Sequence, residues 1–166
     1  MDPNFKTPYE RKVTLGLTYY LPNDYVLTAD AIMTQGEDTA IWKRGDLEVV
    51  GTNSDGSPEY DSVREASFVL TNSAIGNESE SISFGLFKSF ENGLDMRLGY
   101  AWNDSRDVNP MTSSIAFSNY VNRTFFDPQE EVLSRSNYNI EHRFTGVFNW
   151  TRNYFGDYST RFSLFA

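Results

Sequence analysis

The stretch Ser81–Trp102, SISFGLFKSFENGLDMRLGYAW, decides how this chain is read. Ile82, Phe84, Leu86 and Phe90 recur at every second position, with Lys88 interrupting; Glu91–Gly93 then turns the chain, and Leu94, Met96, Leu98, Tyr100 and Trp102 resume the alternation. A period of two is the side-chain period of a strand, so the segment is a β-hairpin with one apolar face. Asp95 and Arg97 fall on the other face.

The same period recurs on both sides of this hairpin. Val13, Leu15, Leu17, Tyr19 and Leu21 alternate with Lys12, Thr14, Gly16, Thr18 and Tyr20; after Pro22–Asp24, Tyr25, Leu27, Ala29, Ala31 and Met33 alternate with Val26, Thr28, Asp30, Ile32 and Thr34. Near the end, Ile140, Phe144, Phe148 and Trp150 alternate with Asn139, Glu141, Arg143, Thr145 and Asn149; beyond a turn at Thr151–Asp157, Tyr158, Phe162 and Leu164 alternate with Ser159, Arg161 and Ser163. The pattern predicts an all-β antiparallel meander of about six long strands, in hairpins at about 12–35, 80–103 and 138–166. Strands of about ten residues suit a tilted transmembrane β-strand of roughly 9–11 better than a soluble strand of about 5–6.

Connection lengths alternate as well. The turns at 22–24, 91–93 and 151–157 are short, whereas the segments at about 36–78 and 104–136 are long and rich in Asn, Ser, Asp and Gly. In a meander this places the short turns at one end of the sheet and the long loops at the other, the asymmetry of outer-membrane barrels. Tyr19, Tyr25, Phe90, Trp150 and Tyr158 gather near the short turns, and Tyr100 and Trp102 lie about one strand length away. Two aromatic levels around an aliphatic band are what membrane interfaces require of a barrel. The alternate face carries Asp30, Asp95, Arg97, Arg143 and Arg161, which are expected to line the lumen. Six strands are fewer than the roughly eight of the smallest closed barrels, so the sheet is expected to be part of a larger one.

Composition is compatible with this. The 166 residues have a mean hydropathy of -0.50, unremarkable for alternating strands, yet include 13 Phe, 10 Tyr and 3 Trp. The net charge of -9 argues against nucleic acid, which needs a basic face. The absence of cysteine removes disulfides and thiolate metal sites. No run of 18 apolar residues is present, so no transmembrane helix is expected. The opening MDPNFKTPYE lacks the pattern of a signal peptide and the closing TRFSLFA stops in mid-alternation, so both ends are expected to be cuts in a longer chain.

The segments DPNFKTPYERKVTLGLTYYLPNDYVLTADAIMTQ, LTNSAIGNESESISFGLFKSFENGLDMRLGYAWNDSRDV and SNYNIEHRFTGVFNW together resemble the late barrel of TonB-dependent outer-membrane receptors, especially the Oar-like group. The resemblance implies a bacterial outer-membrane location, a barrel of about 22 strands closed around an N-terminal plug, and nutrient import energised through TonB. It implies outer-membrane lipid, the remaining barrel and the plug as partners, with TonB engaged only through an N-terminal part that this chain does not carry. It implies no catalytic, metal or cofactor-binding residue. A soluble extracellular β-sandwich, binding glycan or protein through its long loops, is the alternative for such alternation.

Several further features bear on chemistry. His142 is the single histidine, and its neighbours Glu141 and Arg143 are expected on the opposite face; no nucleophile motif accompanies it, so the chain is not expected to be an enzyme. Thr52–Asp61, TNSDGSPEYD, has oxygen ligands beside a glycine, but Arg64 stands where a calcium loop counted from Asn53 needs an acidic residue. Asp127–Glu131, DPQEE, is expected to be a solvated acidic loop. The sequons at Asn77, Asn103, Asn122 and Asn149 carry no weight in a bacterial chain. Tyr60, Phe117, Tyr120, Phe125 and Phe126 are expected to pack the long loops or to form a binding surface there.

Overall fold

The computed structural model describes residues 1–63, 65, 67–122 and 125–166. Arg64, which argues against the calcium loop, and Thr124, which completes the sequon at Asn122, lie outside the described residues. The strands are β1 (Tyr9–Leu21), β2 (Tyr25–Glu37), β3 (Ala40–Arg44), β4 (Leu47–Thr52), β5 (Pro58–Ser62), β6 (Phe68–Asn72), β7 (Glu78–Ser89), β8 (Leu94–Asp107), β9 (Ser134–Arg135), β10 (His142–Phe155) and β11 (Tyr158–Phe165), with one helix, α1 (Ala116–Val121). The fold is all-β. Its principal sheet is an open meander in the order β1-β2-β7-β8-β10-β11, with β9 beside the end of β8.

Two compact units share the chain. The sheet unit comprises residues 12–34, 79–105 and 138–166; the loop unit comprises 1–11, 35–78 and 106–137.

In the sheet unit the alternation becomes two faces. Leu94, Met96, Leu98, Tyr100 and Trp102 of β8 stand opposite Trp150, Phe148, Gly146, Phe144 and His142 of β10. Phe148 and Trp150 in turn stand opposite Leu164 and Phe162 of β11. Side chains opposite one another share a face, so one apolar face runs across these strands. On the reverse face, Asp95 opposes Asn149, Arg97 opposes Val147, Arg143 opposes Ala101 and Arg161 opposes Thr151.

The turns close tightly. Pro22–Asp24 is a single turn with Asn23 at φ 60° and Asp24 at φ 59°, both residue types that tolerate the left-handed region. At the second turn Gly93 has φ 84°, and the Gly93 amide donates to the Phe90 carbonyl at 3.0 Å. The third turn corrects the sequence reading: it is Gly156–Asp157 alone, not 151–157, because Tyr154 and Phe155 extend β10 and Gly156 at φ 62° suits a two-residue hairpin. The third hairpin also starts at His142 rather than Tyr138, although the Asn103 amide still donates to the Glu141 carbonyl at 2.9 Å.

The loop unit is the larger correction. The segments expected as long polar loops contain β3 paired with β6, β4 paired with β5, α1 and β9. The short strands have 5 or 6 residues, fewer than a ten-residue window of alternation registers. Their unit has its own core in buried Ile41, Val108 and Tyr120. The Phe68 ring meets Phe117 and Tyr120 edge-on, with centroids 6.1 and 5.8 Å away. The N-terminal segment is tied to β6: the Asp2 amide donates to the Leu70 carbonyl at 2.9 Å, and Thr71 Oγ1 donates to the Asp2 carboxylate at 2.7 Å.

Candidate functional site

The apolar face of the sheet unit is the first candidate surface. Leu15 (73%), Leu17 (60%), Phe144 (75%) and Leu164 (64%) are exposed there in mid-strand. Contiguous exposed apolar surface is a general feature of protein–protein and membrane interaction sites.

Aromatic rings collect at two levels of this face. At the turn end Trp150, Tyr154 and Phe162 form a cluster with centroids 6.1–6.2 Å apart, and Trp150 Nε1 donates to the Asn92 carbonyl at 3.2 Å. At the far level Tyr100 lies 4.8 Å from Phe144, and its hydroxyl is 3.0 Å from His142 Nδ1. Trp102 opposes His142, and Leu94 opposes Trp150. Eight residue steps thus separate the levels on β8, about 27 Å along the strand. Tilted by roughly 35–45°, a strand of that length would rise about 20 Å, against the roughly 25 Å apolar band of outer-membrane barrels.

Two cations lie on this face: Lys88, which the alternation places there, and Arg152, which the sequence reading leaves in the third turn. Lys88 Nζ donates to the Asn23 carbonyl and lies 4.9 Å from the Tyr25 ring centroid and 5.5 Å from that of Phe90. The Arg152 guanidinium lies 5.6 Å from the Trp150 ring. Both sit at the turn end, where a long aliphatic stem can cover apolar surface while its charge meets polar atoms. Of the aromatic residues expected at the two levels, Phe90, Tyr25, Trp150, Tyr100 and Trp102 therefore take part in the contacts described, while Tyr19 and Tyr158 are exposed near their turns.

The reverse face carries many of the sheet unit's polar contacts. Asp95 accepts from Ser89 Oγ at 2.7 Å, Arg161 Nε donates to Thr151 Oγ1 at 3.3 Å, and Asn149 accepts from Ser163 Oγ at 2.7 Å. Asp30 leans over Gly16, where a Cβ would lie 2.9 Å from its Oδ1. Arg143 borders a shallow recess of about 270 Å³ with Ser83, Gly99 and Thr145. Phe87, Val147 and Phe165 also belong to this face by alternation, so it is not wholly polar. His142 has Tyr100 at its Nδ1 side and Glu141 Oε1 4.0 Å from its Nε2; Glu141 thus does not turn away from it.

In the loop unit the side chain of Asp46 is wholly buried. It accepts from Arg44 Nε at 2.9 Å, from Arg44 Nη2, from the Ser67 amide at 2.9 Å and from Ser62 Oγ at 2.7 Å. The Arg44 guanidinium, aided by the Ser67 and Ser62 donors, outweighs burial and holds the Asp46 carboxyl well below the usual carboxylate range.

Asp127–Glu131 is not simply a solvated loop. Asp127 Oδ1 accepts from Tyr60 Oη at 2.7 Å and from the Gln129 amide at 2.8 Å; Gln129 Nε2 donates to the Arg44 carbonyl at 2.6 Å; Glu131 accepts from Ser73 Oγ at 2.7 Å and pairs with Lys43. Alternate residues 127, 129 and 131 bind the unit together. Burial first, and then Asp127, pushes the Tyr60 hydroxyl up to about 12. Although burial pushes it up, Lys43, Ser73 and the Ala74 amide hold the Glu131 carboxyl below its ordinary value.

Thr52–Asp61 runs from the end of β4 through the 53–57 turn into β5, and its polar groups close that turn: Ser57 Oγ donates to Asp55 Oδ1 at 2.7 Å and Asn53 Nδ2 to Ser57 Oγ at 3.0 Å. Two of the sequon asparagines, Asn103 and Asn149, are occupied by hydrogen bonds to Asn139 and Ser163. Comparison with protein-family models, with curated proteins and with solved structures returns no match.

Proposed function

We propose that the sheet unit is a section of wall in a bacterial outer-membrane β-barrel of the TonB-dependent receptor kind, and that its parent protein imports a scarce nutrient. The observation that carries this reading is the exposed apolar face bounded by two aromatic levels about one strand length apart. In water such a face favours aggregation, whereas in a bilayer it meets the solvent it matches. The principal sheet has two edges, β1 and β11, whose outer backbone groups need partners that further wall strands would supply.

On this reading Asp30, Asp95, Arg97, Arg143 and Arg161 line the lumen and meet water or the plug. Outer-membrane lipid covers Leu15, Leu17, Leu98 and Leu164. The connections at about 36–78 and 104–136 are, on this reading, the external loops of the parent barrel. The role is passive: wall, lumen lining and external connection, with no catalytic step.

The alternative, a soluble sandwich that binds glycan or protein through the loop segments, requires the apolar face to be covered in water. Purification without detergent separates the two. A membrane wall aggregates until detergent or lipid is supplied. A monomer that stays soluble in buffer, unfolds cooperatively and ignores lipid vesicles contradicts the membrane reading.

A further inference from the structure

The loop unit contains a half-enclosed cavity of about 530 Å³, lined by Asp107, Val108, Pro110, Phe125, Phe126, Asp127, Glu130 and Val132 among others. Its size falls in the range of small-molecule sites, roughly 300–1,000 Å³. Two kinds of group define its chemistry.

The first is aromatic. Phe125 and Phe126 remain 43% and 62% exposed in a unit that buries Tyr120 and engages Tyr60. Partly exposed rings that line a cavity offer apolar and π surface to a ligand.

The second is anionic. Asp127 is held in place by Tyr60 and by the Gln129 amide through one carboxylate oxygen. Among the described residues neither Glu130 nor Asp107 has a side-chain hydrogen bond or an ion pair. Asp107 is nevertheless half-buried. A partly desolvated carboxylate without a hydrogen-bond or ion-pair partner is costly, and an ammonium entering the cavity relieves that cost.

We propose that this cavity binds a small organic ammonium, an amine carried on an apolar body. The ammonium would donate charge-assisted hydrogen bonds to the carboxylates of Glu130 and Asp107, and the apolar body would pack on Phe125 and Phe126. A phenyl face also attracts an ammonium directly. Among the described residues three carboxylates line the cavity against the one guanidinium of Arg135, so an anionic ligand is disfavoured. The site lies wholly inside the loop unit. The inference therefore does not rest on the membrane reading, and either can fail alone.

The test is calorimetric titration of the full chain, in detergent micelles, with 2-phenylethylamine, 2-phenylethanol and 3-phenylpropionate as probes. The amine is expected to bind at least about tenfold more tightly than the alcohol, the ratio one charge-assisted hydrogen bond supplies, and the carboxylate not at all. Glu130→Gln, at an exposed position, is expected to lower amine affinity about tenfold with an unchanged circular dichroism spectrum. Asp107→Asn is expected to act in the same direction. Added salt should weaken the amine and leave the alcohol unaffected. Amine binding no tighter than alcohol binding, no detectable amine binding at millimolar concentration, or full affinity retained in both variants would overturn the proposal.

Discussion

The Lys88 ammonium donates to the carbonyl of Asn23, joining the end of β7 to the turn between β1 and β2 while it lies against the rings of Tyr25 and Phe90. The alternation leaves a charge on the apolar face here, and the structure shows how it is tolerated. The stem runs along the face and the ammonium ends on a backbone acceptor at the turn. If that face meets lipid, tolerance should depend on depth. Phe84 is four residues further along β7, about 13 Å from the turn end. Phe84→Lys is expected to destabilise the vesicle-inserted chain by about 2–4 kcal/mol, whereas Lys88→Met changes it by less than about 1 kcal/mol. Denaturant titration in phospholipid vesicles measures both, and equal effects would remove the depth dependence.

Adjacent residues on β8 give a second test, because Arg97 and Leu98 point to opposite faces. Leu98→Arg places a charge in the middle of the apolar band and is expected to cost about 2–4 kcal/mol in the same titration. Arg97→Gln, on the polar face, is expected to cost less than about 1 kcal/mol. A reversed order would mean that the faces are assigned wrongly.

The two turn glycines separate backbone conformation from crowding. Gly93 and Gly156 both have positive φ, but a Cβ at Gly93 would lie 2.3 Å from the Thr151 carbonyl oxygen, whereas at Gly156 nothing lies within 4 Å. Gly156→Ala is expected to cost about 1–2 kcal/mol from the left-handed conformation alone. Gly93→Ala adds a backbone clash and is expected to cost more. Comparable unfolding midpoints for the two variants would show that the second turn relaxes freely.

The buried Asp46 makes the loop unit acid-sensitive. Its folded carboxyl titrates below the unfolded one, so its stabilising effect is fully present above about pH 4 and is lost as the pH falls below that toward the lowered folded value. Amide exchange in β3 and β6 is expected to stay slow from pH 7 to about 5 and to accelerate once the carboxyl protonates. Asp46→Asn is expected to raise exchange in these strands about tenfold or more at neutral pH and to flatten the acid response. An acid response that survives in this variant would assign it to another group. Tyr60 acts at the opposite end of the scale: its hydroxyl, pushed up to about 12, stabilises the unit below pH 10, and that contribution is lost between 10 and 12.

The long strands were legible because ten or more residues of alternation repeat one message, and the registers of β8, β10 and β11 keep each apolar set on one face. The loop unit was not legible. Its strands are five or six residues long, and its core depends on polar partners far apart in sequence. Asp46 with Ser62 and Ser67, Asp127 with Tyr60, and Gln129 with Arg44 cannot be paired by any local period. The third turn was misplaced for a different reason. Tyr154 and Phe155 alternate with polar residues less regularly beside a register shift between Asn153 and Phe155, which hid the last residues of β10. The open cavity of the loop unit had a partial signal: Phe125 and Phe126 stand next to an acidic run, but which carboxylates are left without partners emerges only from the packing.

Depth-dependent fluorescence quenching tests the central claim most directly. With lipid vesicles brominated at defined acyl positions, single-tryptophan versions of the chain retain Trp42, Trp102 or Trp150, and a fourth carries Leu98→Trp alone. The membrane account expects Leu98→Trp to be quenched most by bromines near the bilayer centre, Trp102 and Trp150 by bromines near the headgroups, and Trp42 of the loop unit by neither. A folded chain in which all four tryptophans ignore brominated lipid would contradict it.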